Sequence, residues 1–471
     1  MNLDSRICDF FGTNREVVHA SAPGRLDVMG GIADYSGSFV LQMPIAGRTN
    51  VYASLRRDGI LRVYSHEAER AGLESEAQYR LDQLIPSEKT GDYRFSQKIL
   101  SEDKKRSWAA YVLGCVLGLI QEKGVEFNGA DFWVDSDVPI GKGVSSSAAL
   151  EIATLAALSH ALQVELSGNE LPALGQKVEN YIVGAPCGLM DQLAAYFGRK
   201  DQLLPILCRP DILSPPVGIP KEMHFVGVDS GERHSVGGAS YGDVRTAAFM
   251  GYSIIADNCG VDPQVILEAK RTCRRDGLPL EGYLSKLTPS QYESRYESIL
   301  PGVMSGEEFI SRFGDTIDPI TSPQPDRRYA VKACTAHPIY ENHRVIEFAL
   351  LLQLANSPHA AQSNREDAYF QLGELMYQSH WSYSRCGLGS EATDALVKRA
   401  YEAGSSHGVY GAKITGGGSG GTVCFLCIGE KGLQSVQNIA QEHAAGAGCE
   451  LTIFHGSSDG ACWTKTQSVL T

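Results

Sequence analysis

Apolar positions along this chain follow two rhythms. Two nearly unbroken runs, Ala130-Asp131-Phe132-Trp133-Val134 and Val423-Cys424-Phe425-Leu426-Cys427-Ile428, predict buried strands, the second beginning at Thr422. Ala148 to Ala161 is rich in strong helix formers. Trp108 to Lys123 and Val345 to Ala355 place apolar residues at mixed three- and four-residue spacings, so all three segments predict helices. No apolar run reaches the roughly 18 residues that a membrane-crossing helix needs.

Three segments rich in glycine or serine stand beside these apolar elements, near residues 22–37, 139–149 and 415–421. Residues 257–330 differ in character. Charged helical stretches such as Gln264 to Arg275 give way to connections at Pro301, Pro319, Pro323 and Pro325, which predicts a helical elaboration rather than a separate domain. Leu213-Ser214-Pro215-Pro216, followed by Pro220, is the expected crossing between two lobes, 1–215 and 216–471. There is no internal repeat.

The 471 residues have room for two or three cores, and 43% hydrophobic with 21% charged residues is an ordinary globular balance. A formal net charge of −13 repels polyanions, so it excludes a broad nucleic-acid or acidic-membrane surface while leaving room for a nucleotide pocket. Met1 to Gly12 carries Asp4 and Arg6 and no apolar stretch of signal-peptide length, so a cytoplasmic location is expected. Of 12 cysteines, Cys424 and Cys427 form a CxxC, but inside the second apolar run and without a matching pair. They are expected to be buried reduced thiols rather than zinc ligands.

The segment with the most chemistry runs Pro139-Ile140-Gly141-Lys142-Gly143-Val144-Ser145-Ser146-Ser147-Ala148-Ala149. Gly141 and Gly143 allow close backbone approach, and the serines open a helix whose first N–H groups lack internal partners. Such N–H groups, with the helix dipole, attract phosphate oxygens. Taken alone, the same pattern also fits serines that N-cap a purely structural helix. The segment is neither a Walker A loop nor a dinucleotide fingerprint.

Two further segments complete a pattern: Ala22-Pro23-Gly24-Arg25-Leu26-Asp27-Val28-Met29-Gly30, continuing through Asp34-Tyr35-Ser36-Gly37, and Lys413-Ile414-Thr415-Gly416-Gly417-Gly418-Ser419-Gly420-Gly421. In this order the three resemble the motifs of the GHMP kinases, in the galactokinase branch. Val144 stands where that family usually has leucine, and Ser419 where galactokinases typically have phenylalanine. The resemblance implies an α+β fold of two lobes with the active site in the cleft between them. It also implies ATP and Mg²⁺, with Gly141, Gly143, Ser145, Ser146, Ser147, Ala148, Gly417 and Gly418 around the nucleotide phosphates.

Cys187-Gly188-Leu189-Met190-Asp191-Gln192 resembles the galactokinase segment that carries the catalytic aspartate. By that resemblance Asp191 is the base for the sugar hydroxyl and Arg25 its partner, while Glu179 and Ser147 hold Mg²⁺. The chemistry is compatible: phosphoryl transfer asks for positioning and charge neutralisation, and a weak carboxylate base suffices if the proton moves late. Outside such a motif, an Asp–Arg pair is more often a surface ion pair.

Arg233-His234-Ser235 with Tyr241, Ala336 to Asn342 and Gly373 to His380 are further galactokinase-type stretches. The resemblance puts Asp34, Gly188 and Tyr241 at the sugar, beside Ile32. Here the chain departs from its family. Galactokinases read G-E-H-x-D-Y, with the glutamate at the C6 hydroxyl, whereas this chain reads Gly30-Gly31-Ile32-Ala33-Asp34-Tyr35. That variant is similar to the kinase portion of plant L-arabinokinases. L-Arabinopyranose is D-galactose without the C6 hydroxymethyl group, so L-arabinose is the expected acceptor and L-arabinose 1-phosphate the product. D-Galactose, a uronic acid, or a non-catalytic sugar sensor on a kinase fold are the competing expectations, and the intact Ser145-Ser146-Ser147-Ala148 run favours catalysis over the last.

Overall fold

The computed structural model describes residues 4–85, 92–209, 211–232, 239–447 and 451–471. Among them, strands gather into two main sheets. The larger has nine strands, ordered Gln467–Leu470, Glu16–Met29, Phe39–Leu55, Ala130–Ser136, Ile60–Ser65 and Glu76–Arg80. Gln202–Cys208 pairs with the start of Phe39–Leu55 and carries the short strands Asp211–Leu213 and Val217–Gly218. Every pairing is antiparallel except Ile60–Ser65 against Ala130–Ser136. The smaller sheet is antiparallel throughout and ordered Val409–Ile414, Thr422–Ile428, Met223–Asp229, Ile453–Phe454.

Glu16–Met29 is buried at nearly every position past its first, so both of its faces are covered. The alanine-rich helix Ser146–Leu162 packs on this strand and on Phe39–Leu55, and Ala110–Lys123 lies beside it. Small side chains permit that close approach, and Leu113, Val116, Phe132, Ile152 and Leu155 fill the shared core. Ala110–Lys123 ends on Gly124 in the left-handed region, a frequent helix stop.

The expected helix 345–355 is the last part of a longer one, Val331–Ala355, that runs through Pro338. Residues 257–330 form short helices, Pro263–Thr272, Pro289–Arg295 and Gly306–Phe313, with a two-stranded pairing of Met304–Ser305 and Arg328–Tyr329. They pack around Tyr252, Phe309 and Tyr329 in a core that also holds Ile32 and Tyr35. The division expected after residue 215 does not follow the sheets, because Val217–Gly218 and Gln467–Leu470 both belong to the larger one. The smaller sheet begins only at Met223. Among the described residues, no helix is long and apolar enough to cross a membrane.

Candidate active site

The first motif lies late in Glu16–Met29, the second at the turn into Ser146–Leu162, and Asp191 in the first turn of Met190–Phe197. They meet. Arg25 Nε donates to Asp191 Oδ1 at 2.8 Å and Nη2 to Oδ2 at 2.8 Å, while Nη1 donates to the Gly143 carbonyl at 2.8 Å. Ser145 Oγ donates to Asp191 Oδ2 at 2.5 Å. Arg25 is buried and Asp191 is 19% exposed, so the pair sits in a wall rather than on the surface.

Ser145 is the residue preceding the helix, with φ 57° and ψ 49°, and its side chain makes no capping bond. Its hydroxyl is turned to Asp191 instead. A left-handed serine is uncommon, and strain of this kind collects at functional turns. The alternative of a merely capped helix therefore fails for Ser145, and the helix N-terminus has no side-chain cap of its own. Lys142 is paired with Asp229, Nζ to Oδ2 2.6 Å, and Thr422 Oγ1 donates to the Lys142 carbonyl at 2.8 Å. Both contacts join the turn before Ser146–Leu162 to the smaller sheet.

The third glycine segment is built rather than slack. Gly416, Gly418, Ser419, Gly420 and Gly421 all have positive φ. Ser419 N donates to the Leu388 carbonyl at 2.8 Å and Gly421 N to the Glu232 carbonyl at 3.0 Å. Gly416 and Gly417 reach the cavity between the motifs, and Gly418 packs on Leu388.

Arg25, Ile32, Asp34, Gly141, Gly143, Ser145, Ser146, Ser147, Glu179, Gly188, Asp191, Tyr241 and Gly417 all border one cavity. Ala148 is buried in the helix behind the serines. A second, larger cavity shares Gly141, Ser146, Ser147 and Glu179 with the first, and continues past Trp108, Tyr111, Val134 and Leu150. Trp108 is both core and wall, its Nε1 donating to the Glu74 carbonyl at 2.8 Å.

Two carboxyls here are strongly perturbed. Burial pushes Asp34 up to about 7, against the opposing pull of Arg245. Its Oδ1 accepts from Tyr35 N at 2.6 Å, whereas Oδ2 is buried without a partner. Gly188 is required by this approach: a Cβ there would lie 1.8 Å from Asp34 Oδ2. Burial, with the nearby Asp191, likewise pushes Glu179 up to about 7, although Ser147, Cys187 and Gln192 hydrogen-bond to it. Gln192 Nε2 donates to Glu179 at 2.7 Å and to Glu151 at 3.0 Å, so one amide separates two buried carboxyls.

Sequence reasoning missed Arg245, Lys142, Gln192 and Glu151. Arg245 is buried, forks onto Asp318 at 2.8 Å through both Nε and Nη2, and stands 5.5 Å above the Tyr35 ring. A signal for it existed: it follows Tyr241 by four residues on the helix Ala239–Asn258, one turn along the same face. Arg233, His234 and Ser235 lie outside the described residues. Ala336 to Asn342 supplies Glu341, whose Oε1 accepts from Gly30 N at 3.2 Å and from Ser379 Oγ at 2.6 Å, so this stretch braces the start of the Gly31–Ser36 turn from behind.

Residues 110–199 match the GHMP kinases N terminal domain, 367–446 the GHMP kinases C terminal domain, and 8–55 the galactokinase galactose-binding signature. The chain is 40% identical to an L-arabinokinase of Arabidopsis thaliana over 96% of its own length, and spans 46% of that protein. It is 31% identical to a galactokinase of Chloroflexus aggregans, covering 88% of this chain and 84% of that one. Its fold is similar to that of Lactococcus lactis galactokinase complexed with galactose (TM-score 0.70, 20% identity, 99% of this chain and 98% of that one). It is also similar to Methanococcus jannaschii mevalonate kinase (TM-score 0.55, 15% identity, 93% and 98%). The chain belongs to the GHMP kinase family, in its galactokinase branch, and has the family's α+β fold.

Proposed function

We propose that this chain is a sugar 1-kinase that moves the γ-phosphoryl group of ATP to the anomeric hydroxyl of L-arabinose. The observation that carries this reading is the Arg25–Asp191–Ser145 cluster in the wall of a cavity that Ile32 and Asp34 also line, next to the larger cavity across Ser146, Ser147 and Glu179. ATP lies with its base against Trp108 and Tyr111 and its phosphates on the uncapped helix N-terminus. The pyranose lies against Asp34, Gly188, Tyr241 and Ile32.

Asp191 is the base. Arg25 and Ser145 take three of the roughly four acceptor positions of its carboxylate, which leaves the fourth for a hydroxyl. The proton moves late, after the new P–O bond has begun to form, and Arg25 stabilises the emerging alkoxide. The anomeric hydroxyl is the most acidic on the sugar because of the adjacent ring oxygen. Asp34 Oδ2, buried and unpartnered, accepts from a ring hydroxyl. Glu179 and Ser147 fit Mg²⁺: a buried carboxyl with no cation among its hydrogen-bond partners, beside a hydroxyl, is a hard oxygen donor set that a divalent ion would stabilise. When bound, that ion neutralises charge on the transferring phosphates.

L-Arabinose is favoured over D-galactose by the glycine and isoleucine at 31 and 32, and by the L-arabinokinase similarity. An apolar wall rejects an added hydroxyl by only about 10²-fold, so slower turnover of D-galactose is expected. ADP release measured with L-arabinose, D-galactose and D-galacturonate tests this. The highest kcat/KM should fall on L-arabinose. A higher value for D-galactose overturns the acceptor, and no sugar-dependent ADP release overturns the kinase reading in favour of a sensor.

A further inference from the structure

Tyr383 lies in the last turn of the helix Gln362–Arg385, is fully buried, and borders neither cavity. Its ring is fixed by the edge of His337, 5.2 Å away, and by the Lys413 ammonium, 5.2 Å from the ring centre. The hydroxyl accepts from Ile32 N at 2.9 Å and donates to the Gly416 carbonyl at 3.1 Å. It therefore ties together two cavity-lining loops that are far apart in sequence. Gly416 in turn abuts the catalytic pair: a Cβ on it would lie 2.9 Å from the Gly143 carbonyl and 3.3 Å from Arg25 Nη2.

The same hydroxyl fills the space over Gly31. That residue has φ +33°, and a Cβ built on it would fall 1.6 Å from the Tyr383 oxygen and 2.7 Å from Asp27 Oδ2. Gly31 N is also held by Asp27 Oδ1 at 2.9 Å, so moving the loop aside would break this buried contact. Position 31 has no side chain, and a residue 352 places along the chain occupies its place.

We infer that Tyr383 is a specificity-setting positioning residue, whose hydroxyl excludes any side chain at position 31 and fixes Ile32 against the sugar in register with Gly416 and Arg25. This rests on the reading that the pyranose lies against Ile32. Without the hydroxyl, the Ile32 N–H and the Gly416 carbonyl are buried unpaired, and the sugar loop loses its tie to the catalytic side.

Tyr383→Phe keeps the ring and removes only the hydroxyl. It should raise KM for L-arabinose about tenfold, leave KM for ATP within about twofold, and narrow the preference for L-arabinose over D-galactose at least about threefold. A thermal-melting cycle tests the contact itself. Gly31→Ala should lower Tm by more in the native background than in Tyr383→Leu, where the oxygen is gone; the backbone strain of an alanine at positive φ is common to both and cancels. An unchanged sugar KM and preference in Tyr383→Phe, or additive Tm losses in the cycle, overturns the inference. If the unsubstituted chain phosphorylates no sugar, the proposed function fails instead, and the melting cycle still decides whether Tyr383 excludes a side chain at 31.

Discussion

The two sides of the cavity hold their ligand-facing groups by opposite means. On the side proposed for the phosphates, backbone and hydroxyl groups at strained turns predominate, with one buried carboxyl, Glu179, among them, and Lys142 is already neutralised by Asp229. On the side proposed for the sugar, buried ionisable groups predominate: Asp34, with Arg245 and Asp318 behind it. A polyanion can be gripped by N–H groups from one short stretch of chain, because each helix start supplies several at once. A neutral sugar with hydroxyls on both faces needs acceptors and donors at separate points. Residues 34, 188 and 241, proposed to meet the sugar, come to the cavity from three distant segments.

The comparison can be broken first at the residue between the two sides. Asp191→Asn should lower kcat by about 10²- to 10⁴-fold, the usual contribution of a positioned base, while nucleotide affinity stays within a few-fold because the cradle is backbone. Steady-state kinetics with nucleotide binding measured separately would show it, and an undiminished kcat would end the assignment of the base.

Next comes the cation behind the sugar loop. Arg245→Met leaves Asp318 buried without its partner, which should cost about 3–5 kcal/mol in denaturant unfolding. The removal of a surface pair such as Arg6–Asp4 should cost almost nothing. Equal effects would mean that the sugar side is not organised by buried charge.

The smallest expected effect is the pH dependence that Asp34 adds to that of Glu179, both carboxyls being raised to about 7. The Asp34 carboxyl is raised to about 7 by burial, so the folded chain binds this proton more tightly than the unfolded chain. Its contribution to stability is therefore complete at acid pH and is lost as pH rises through about 7. Sugar binding as proposed uses the ionised acceptor and has the reverse slope: KM for the sugar, at saturating ATP, should fall about tenfold from about pH 6 to about pH 8. Asp34→Asn should flatten this profile. A profile unchanged in that variant would assign the titration elsewhere.

The same contrast decides what could be read from the sequence. The turn into Ser146–Leu162 was legible because Gly141 to Ala148 is one contiguous stretch in which glycines and serines announce a helix start. The strand Thr422–Ile428 was legible at both ends, and Ala130–Val134 to within two residues, because burial on both faces leaves an unbroken apolar run. Val331–Ala355 was read only in part, since Pro338 marks a boundary by local rules, whereas packing in the core carries the helix through it. Arg245 left one faint mark, its place one turn after Tyr241, but it, Gln192 and Tyr383 were missed for a shared reason. Each meets a partner that only folding brings near, Asp318, Glu179 and Gly31 respectively, and for Gln192 and Tyr383 no local pattern distinguishes them from residues that merely pack. Gly31 itself was legible as a departure from the galactokinase pattern, but the oxygen that replaces its side chain was not.

The strand Gln467–Leu470 completes the larger sheet by pairing with Glu16–His19. During synthesis, that flank of Glu16–Met29 stays uncovered until residues beyond 466 have left the ribosome, so the sheet cannot close while translation of this stretch is under way. Closing a loop of some 450 residues is slow more than it is costly, since the entropy of closure grows only with the logarithm of loop length. A nascent chain stalled before residue 467 would therefore present an open β-edge, a template for association with its own copies.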